Sequence, residues 1–290
     1  MLERFICPDG VEVPIVDCLQ QCRLKDSLPC GRCLSLRMLT AMAKQRPFNG
    51  VPTVTQLIAG LRAEFLKITK PYAADPQSLA MSRFGTNCHA ALERDADPDR
   101  WLCEKRLTDP TGTFSGQFDC YDTRDHILYD TKAYGSFKIA SVLGIKAVKE
   151  PVINQYTGEI ERRSDGRVVR KTRFFEGLKD TREVTLQLNA YRLLLEANGF
   201  PVKDMRLELL VRDGGTWIAK SRGVEQNALM LRINRVSDVH IRRYLLTKAR
   251  ILIGSLEKNK PPEPCKKAER WDGLKCKSYC PVKQWCKELT

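Results

Sequence analysis

Where the cysteines fall constrains this chain more than any other feature of it. Twelve of its 290 residues are cysteine, and nine of them crowd the two ends: Cys7, Cys18, Cys22, Cys30 and Cys33 at one, Cys265, Cys276, Cys280 and Cys286 at the other. Cys88, Cys103 and Cys120 are scattered between and read as ordinary buried thiols. The opening residues, Met1-Leu2-Glu3-Arg4-Phe5, carry charge and no apolar signal core. A cytoplasmic, reducing compartment is therefore expected, bacterial or that of a phage's host, and a disulfide framework is not. Clustered thiols in such a compartment are expected to hold metal.

The spacings agree. Cys7-x10-Cys18-x3-Cys22-x10-Cys33 and Cys265-x10-Cys276-x3-Cys280-x5-Cys286 share a C-x10-C-x3-C run. Three intervening residues place two sulfurs about one helical turn apart. Four thiolates suit tetrahedral zinc or an iron–sulfur cluster, and neither spacing chooses between them. Cys30 competes with Cys33 for the fourth place in the first set, since Cys30-Gly31-Arg32-Cys33 is itself a CxxC.

Charge adds a partner class. Lys and Arg outnumber Asp and Glu 49 to 35, a formal net charge of +14, which points to a polyanion and first of all to nucleic acid. No run approaches the ~18 apolar residues of a membrane span, so no membrane partner is expected.

Periodicity organises the rest. A helix is expected near 34–44. Another runs to about 68, opened by the capping-box pattern Thr53-x-x-Gln56 and carrying the stripe Leu57, Leu61, Phe65 and Ile68. A third covers 86–95. Residues 113–122 and 126–132 alternate like strands around the polar turn Thr123-Arg124-Asp125, and 150–175 reads as a β-hairpin excursion. Helical periods return over 183–198, closed by Gly199, and over 236–256, with a strand at 205–212 between them. Strands flanked by helices mean α/β with a mixed central sheet. The expected division is a cysteine module at 1–40, a helical region at 41–110, a core at 111–235 carrying the hairpin, and a long helix with the last cysteine cluster at 236–290.

Chemistry concentrates in the core. In Gly116-Gln117-Phe118-Asp119 and Tyr129-Asp130-Thr131-Lys132, Asp130 and Lys132 share a strand face. With the strands paired around the 123/124 position, Asp119 lies opposite Leu128 and Asp130 is its diagonal neighbour. Two carboxylates suit Mg²⁺ or Mn²⁺, and a lysine beside them can orient a water or stabilise developing charge. His89, on a helix upstream, can add a nitrogen ligand. Gln187 and Tyr191 share a helix face at i,i+4 and can present an amide and a hydroxyl to the cleft.

In this order, His89, Gly116/Asp119, Asp130/Lys132 and Gln187/Tyr191 resemble the RecB-type, Cas4-like branch of the PD-(D/E)xK nuclease superfamily. The resemblance spans roughly residues 85–286 and implies a restriction-endonuclease-like core. It implies a metal-dependent deoxyribonuclease, most often an exonuclease, in phage or bacterial DNA processing, recombination or repair. It also implies a metal site of His89, Asp119, Asp130 and the Thr131 carbonyl, with Lys132 positioning the water and Gln187 and Tyr191 contacting substrate or bracing the lysine. Members of the branch carry a [4Fe–4S] cluster that pins the chain termini together, using one N-terminal and three C-terminal cysteines. This chain departs from that pattern with a complete quartet at each end. Two separate sites, one of them zinc, stand against a mixed cluster of Cys33 with Cys276, Cys280 and Cys286. Asp130 stands where many members carry Glu. The DNA backbone is expected on two basic stretches, Arg162–Arg173 with Arg170, Lys171 and Arg173, and Arg232–Arg250 with Arg242 and Arg243 at its centre. Two rival readings are a non-catalytic DNA-binding scaffold with metal-bound cysteine modules, and a Cas4-like factor that trims DNA for CRISPR adaptation. Either would work with recombination, repair or CRISPR-adaptation protein partners.

Overall fold

The computed structural model of the chain describes residues 1–287. The chain opens with β1 (Leu2–Ile6), β2 (Glu12–Pro14) and α1 (Ile15–Gln20), then passes through turns to α2 (Leu36–Ala43). Next come α3 (Val54–Ile58), α4 (Leu61–Thr69), β3 (Tyr72–Ala74) and α5 (Pro76–Arg94). A run of strands follows: β4 (Trp101–Cys103), β5 (Arg106–Thr108), β6 (Ser115–Gln117), β7 (Cys120–Asp122) and β8 (Ile127–Tyr134). After them come α6 (Ser136–Leu143), β9 (Ile145–Pro151), β10 (Arg170–Glu176), α7 (Arg182–Ala197), β11 (Asp204–Val211), α8 (Trp217–Ser221) and β12 (Ala228–Arg232). The chain closes with α9 (Asp238–Glu257), helical turns at Ala268–Gly273 and Lys275–Tyr279, and α10 (Lys283–Lys287).

The architecture is α/β. A five-stranded sheet runs β12-β11-β8-β7-β4, with β8 and β11 parallel and the other pairs antiparallel. Strand β11 alternates strictly between buried and half-buried positions, as a strand with one covered face must. Helices α6 and α7 pack on β8 and β11, while α3 and α9 lie against α7. The apolar stripe of α7 does this work: Val184, Leu188, Ala190, Leu194 and Leu195 are all buried. A second, small sheet, β2-β1-β3, has its own core of Leu2, Phe5, Cys18, Leu39 and Met42. Among the described residues no helix is long and apolar enough to cross a membrane.

Several elements differ from the sequence reading. The helix capped by Thr53 and Gln56 stops at Ile58, and α4 restarts from Gly60. A methyl group at Gly60 would overlap Cys265 Sγ, so the break is where the C-terminal segment docks. Helix α5 begins ten residues before the expected start, with Asp75 capping the Gln77 N–H and Pro76 in the first turn. β4 and β5 lie in the stretch read as helical. The excursion is a two-stranded ribbon, β9 paired with β10 in continuous antiparallel register from Ile145–Glu176 to Pro151–Arg170. The strand read over 113–122 is broken, β6 pairing with β5 and β7 with β4 and β8. The break falls at Phe118-Asp119.

Candidate metal centre

The turn between β7 and β8 sets the register of the site. It holds four residues, Thr123–His126, because Asp122 closes it with its own side chain. The buried Asp122 carboxylate accepts the Arg124 N–H at 2.9 Å and the Asp125 N–H at 3.1 Å, and Arg100 Nε donates to it at 3.1 Å. Those contacts hold the Asp122 carboxyl well below the usual range, at about 2. Tyr121 therefore pairs with Leu128 and Cys120 with Tyr129. The expected pairing of Asp119 with Leu128 is corrected by two residues. Continued by one step, the register sets Asp119 directly across from Asp130, closer than the expected diagonal.

The break at Asp119 then has a use. Where the β7–β8 ladder lapses, Thr131 has no strand on its β7 side, and its N–H donates to Asp119 Oδ2 at 2.8 Å. The N–H and C=O of one strand residue point to the same side, so the Thr131 carbonyl faces the same gap. The Thr131 hydroxyl points the other way and donates to Glu208 Oε2 at 2.8 Å.

Helix α5 brings His89 to this gap. His89 Nδ1 lies 3.5 Å from Asp119 Oδ2 and 3.1 Å from Glu104 Oε1. Glu104 is the residue that the sequence reading missed. It sits between β4 and β5 in a left-handed conformation (φ 51°), where its N–H donates to the Asp119 C=O at 2.9 Å. Gln117 Nε2 donates to its other carboxylate oxygen at 2.6 Å. Among the described residues, His89, Glu104 and Asp119 are the one set of three His, Cys, Asp or Glu side chains with ligand atoms all within 4.8 Å of one another.

Asp130 and Lys132 close the back of the site. Asp130 is fully buried, and Lys132 Nζ donates to its Oδ1 at 2.8 Å. Asp130 Oδ2 also lies 2.8 Å from that ammonium, yet accepts no aligned hydrogen bond. A buried carboxylate oxygen so placed can take a further partner, a cation or a water. Lys132 Nζ is 3.9 Å from Asp119 Oδ2. Burial would lower the lysine, but Asp130 and Asp119 outweigh it and hold it above its ordinary value. Asp119 is pushed up to about 7, by burial first and then by the Asp130 charge, with Lys132 and His89 working against both. The bond to Glu104 raises His89 and, reciprocally, lowers Glu104.

Gln187 Nε2 donates to Tyr191 Oη at 3.0 Å, and the buried Tyr191 is raised by burial and by Asp130. Gly116 explains how the tyrosine comes so close, since a Cβ there would lie 2.8 Å from its ring. A cavity of about 440 Å³ is lined by His89, Glu104, Asp119, Gln187 and Tyr191 together. Arg170, Lys171 and Arg173 lie on the exposed β10, with Arg173 tied to Glu150 at 3.0 Å. Arg243 is exposed on α9, and Arg242 stands 3.7 Å from the buried Asp109.

The cysteines fall into two gatherings. Burial first raises Cys18, and Cys33, Cys7 and Cys22 add to it while Arg32 opposes them. Burial first raises Cys280, the Val282 amide and Lys67 oppose it, and Cys276 and Cys265 add to it; Cys286 acts in the same way on Cys265. Cys33 thus sits with the N-terminal set. Burial raises Cys265, and the Ala63 amide in the first turn of α4 faces its sulfur and lowers it. Cys103 and Cys120 face each other across β4 and β7, sulfurs 3.0 Å apart.

No family model matches the chain, and no curated protein matches it. Among solved structures, that of SSO0001 is similar over 86% of this chain and 91% of its own length, at 14% identity and a TM-score of 0.43.

Proposed function

We propose that the chain is a metal-dependent deoxyribonuclease on a restriction-endonuclease-like core, cutting phosphodiester bonds in phage or bacterial DNA processing. One observation carries the reading: His89 and Asp119 converge across from Asp130, whose buried Oδ2 has no hydrogen-bond donor aligned to it, with Lys132 beside both carboxylates. His89, Asp119, Asp130 and the Thr131 carbonyl would hold Mg²⁺ or Mn²⁺, with Glu104 next to them. A bound divalent cation supplies charge for the scissile phosphate and acidifies a water. Lys132, kept cationic by its two carboxylates, orients that water and faces the charge that develops. Tyr191 and Gln187 border the cleft on the substrate side. Arg170, Lys171, Arg173, Arg242 and Arg243 supply phosphate contacts. Cys265, Cys276, Cys280 and Cys286 hold a metal or a [4Fe–4S] cluster against the first turn of α4.

The test is a time course on labelled DNA with Mg²⁺ or Mn²⁺, for wild type and Asp130→Ala. Loss of one carboxylate should slow cleavage on the order of 10²–10⁴-fold with DNA binding retained. Native-rate cleavage by Asp130→Ala would remove the catalytic assignment and leave a non-catalytic DNA-binding role.

A further inference from the structure

Cys103 and Cys120, read from the sequence as ordinary buried thiols, are both half-buried. They are register partners on β4 and β7. The backbone bonds around them decide what kind of pair they make. The Thr123 N–H donates to the Arg100 C=O at 3.0 Å, and the Glu104 N–H to the Asp119 C=O at 2.9 Å. Bonded pairs fall at every second residue of an antiparallel ladder. With 100–123 and 104–119 bonded, 103–120 is an unbonded position, where facing side chains stand closest. Here the two sulfurs are 3.0 Å apart. An unbonded pair, with Cα atoms at about 4.5 Å, also meets the roughly 4.4–6.8 Å that a disulfide spans. Both thiols line a cavity of about 390 Å³ together with His89, Glu104 and Asp119. Leu92 and Met230, also in its wall, are half exposed, so the cavity opens to solvent.

We infer that Cys103 and Cys120 are a modification site: small-molecule disulfides oxidise the pair to a cross-strand disulfide, and closing that bond loosens the metal centre. One cysteine thiolate attacks a sulfur of the small disulfide, giving a mixed disulfide and releasing one small thiolate. The second cysteine attacks the protein sulfur of that mixed disulfide and displaces the other small thiolate. Two electrons pass from the protein pair to the small disulfide, and the two thiol protons end on the two small thiols. Burial raises both protein thiols, so the exchange is slow at neutral pH. The consequence lies with the chain neighbours. Glu104 follows Cys103, and Asp119 precedes Cys120. A disulfide needs its sulfurs about 2 Å apart at a torsion near 90°. Thiols 3.0 Å apart reach that by rotating both side chains and drawing β4 and β7 together. Glu104 and Asp119 are carried along, and a ligand set keeps its function only within about 0.5 Å. The effect on metal rests on the nuclease reading; the disulfide does not.

The full-length protein is treated with oxidised glutathione until its mass no longer changes, then alkylated, digested with trypsin without reduction and mapped by mass. Cleavage after Lys105 and Arg106 puts Cys103 in peptide 101–105 and Cys120 in peptide 107–124, so a disulfide between them is what joins the two. They should be joined in most of the treated protein and in none of the reduced protein. Mn²⁺ binding, read from the paramagnetic resonance of the free ion, should weaken at least about tenfold on oxidation and recover with dithiothreitol, the scale of disturbing a group that orients a ligand. The double variant Cys103→Ser, Cys120→Ser should bind Mn²⁺ equally with and without the oxidant. Glutathione or alkyl label left on both cysteines of treated wild type overturns the site without any variant having to fold. A joined pair with unchanged Mn²⁺ binding overturns the coupling, as does an equal loss of binding in the double variant. Reduced protein that binds no Mn²⁺ sinks the nuclease reading and the coupling with it, while the joined peptides still decide the site.

Discussion

Asp119 carries a stability cost of its own position. Its native carboxyl titrates near 7, far above the roughly 3.9 of an unfolded aspartate. Between those values the native state keeps a proton that the unfolded chain has released, so rising pH favours unfolding across that window. Metal-free wild type should therefore melt lower at pH 7.5 than at pH 5.5. Added Mn²⁺ should close the gap, and Asp119→Asn should narrow it without metal; an Asn variant with an undiminished pH dependence would remove Asp119 as its source. Glu104→Gln should raise the Mn²⁺ concentration for half-maximal cleavage about 10–100-fold, the usual effect of losing a group that orients a ligand. Gly116→Ala should destabilise by about 1–3 kcal/mol in denaturant melts, because a Cβ there meets Tyr191 and Leu194 at 2.7–2.9 Å. The sequence made His89, Asp119, Asp130 and Lys132 legible because strand alternation and a scarce residue type mark them. Glu104 carried no such mark. Its role depends on a left-handed backbone between two three-residue strands, and no period reports that.

Elements with strong local signals read well: the Thr53–Gln56 cap is there, and α7 ends before Gly199 at φ 86°. The misread boundaries were set by tertiary contacts instead. The helix from Thr53 breaks where Cys265 crowds Gly60, and the strand over 113–122 breaks where β6 leaves to pair with β5. The start of α5 was legible in Asp75-Pro76, a cap followed by a residue whose fixed φ and missing N–H suit a first turn. The ribbon offers an element-scale test of DNA contact. Val152 N–H donates to the Val169 C=O at 2.9 Å, so residues 153–168 can be replaced by Asn-Gly with the ladder below intact. The excised tip carries three arginines and three carboxylates, a net charge of zero, so DNA affinity and its salt slope should hold. Reversing Arg170 and Lys171 to Glu should weaken binding and flatten the salt slope by about one per lost phosphate contact. An unchanged slope would place the DNA elsewhere.

At the scale of the molecule, the two cysteine gatherings lie on either side of one stretch of backbone. The β1–β3 pairing anchors the N-terminal module at Tyr72–Ala74, and Trp285 Nε1 donates to the Pro71 C=O at 2.7 Å. Helix α4, just before that stretch, is buried at six consecutive positions, Leu61 to Leu66. Part of its cover arrives late in the chain: Arg62 Nε donates to the Pro262 C=O at 2.7 Å, across 200 residues of sequence. On a ribosome adding roughly 5–20 residues per second, those residues take about 10–40 s to appear. Through that interval α4 is out of the exit tunnel with that part of its surface still open.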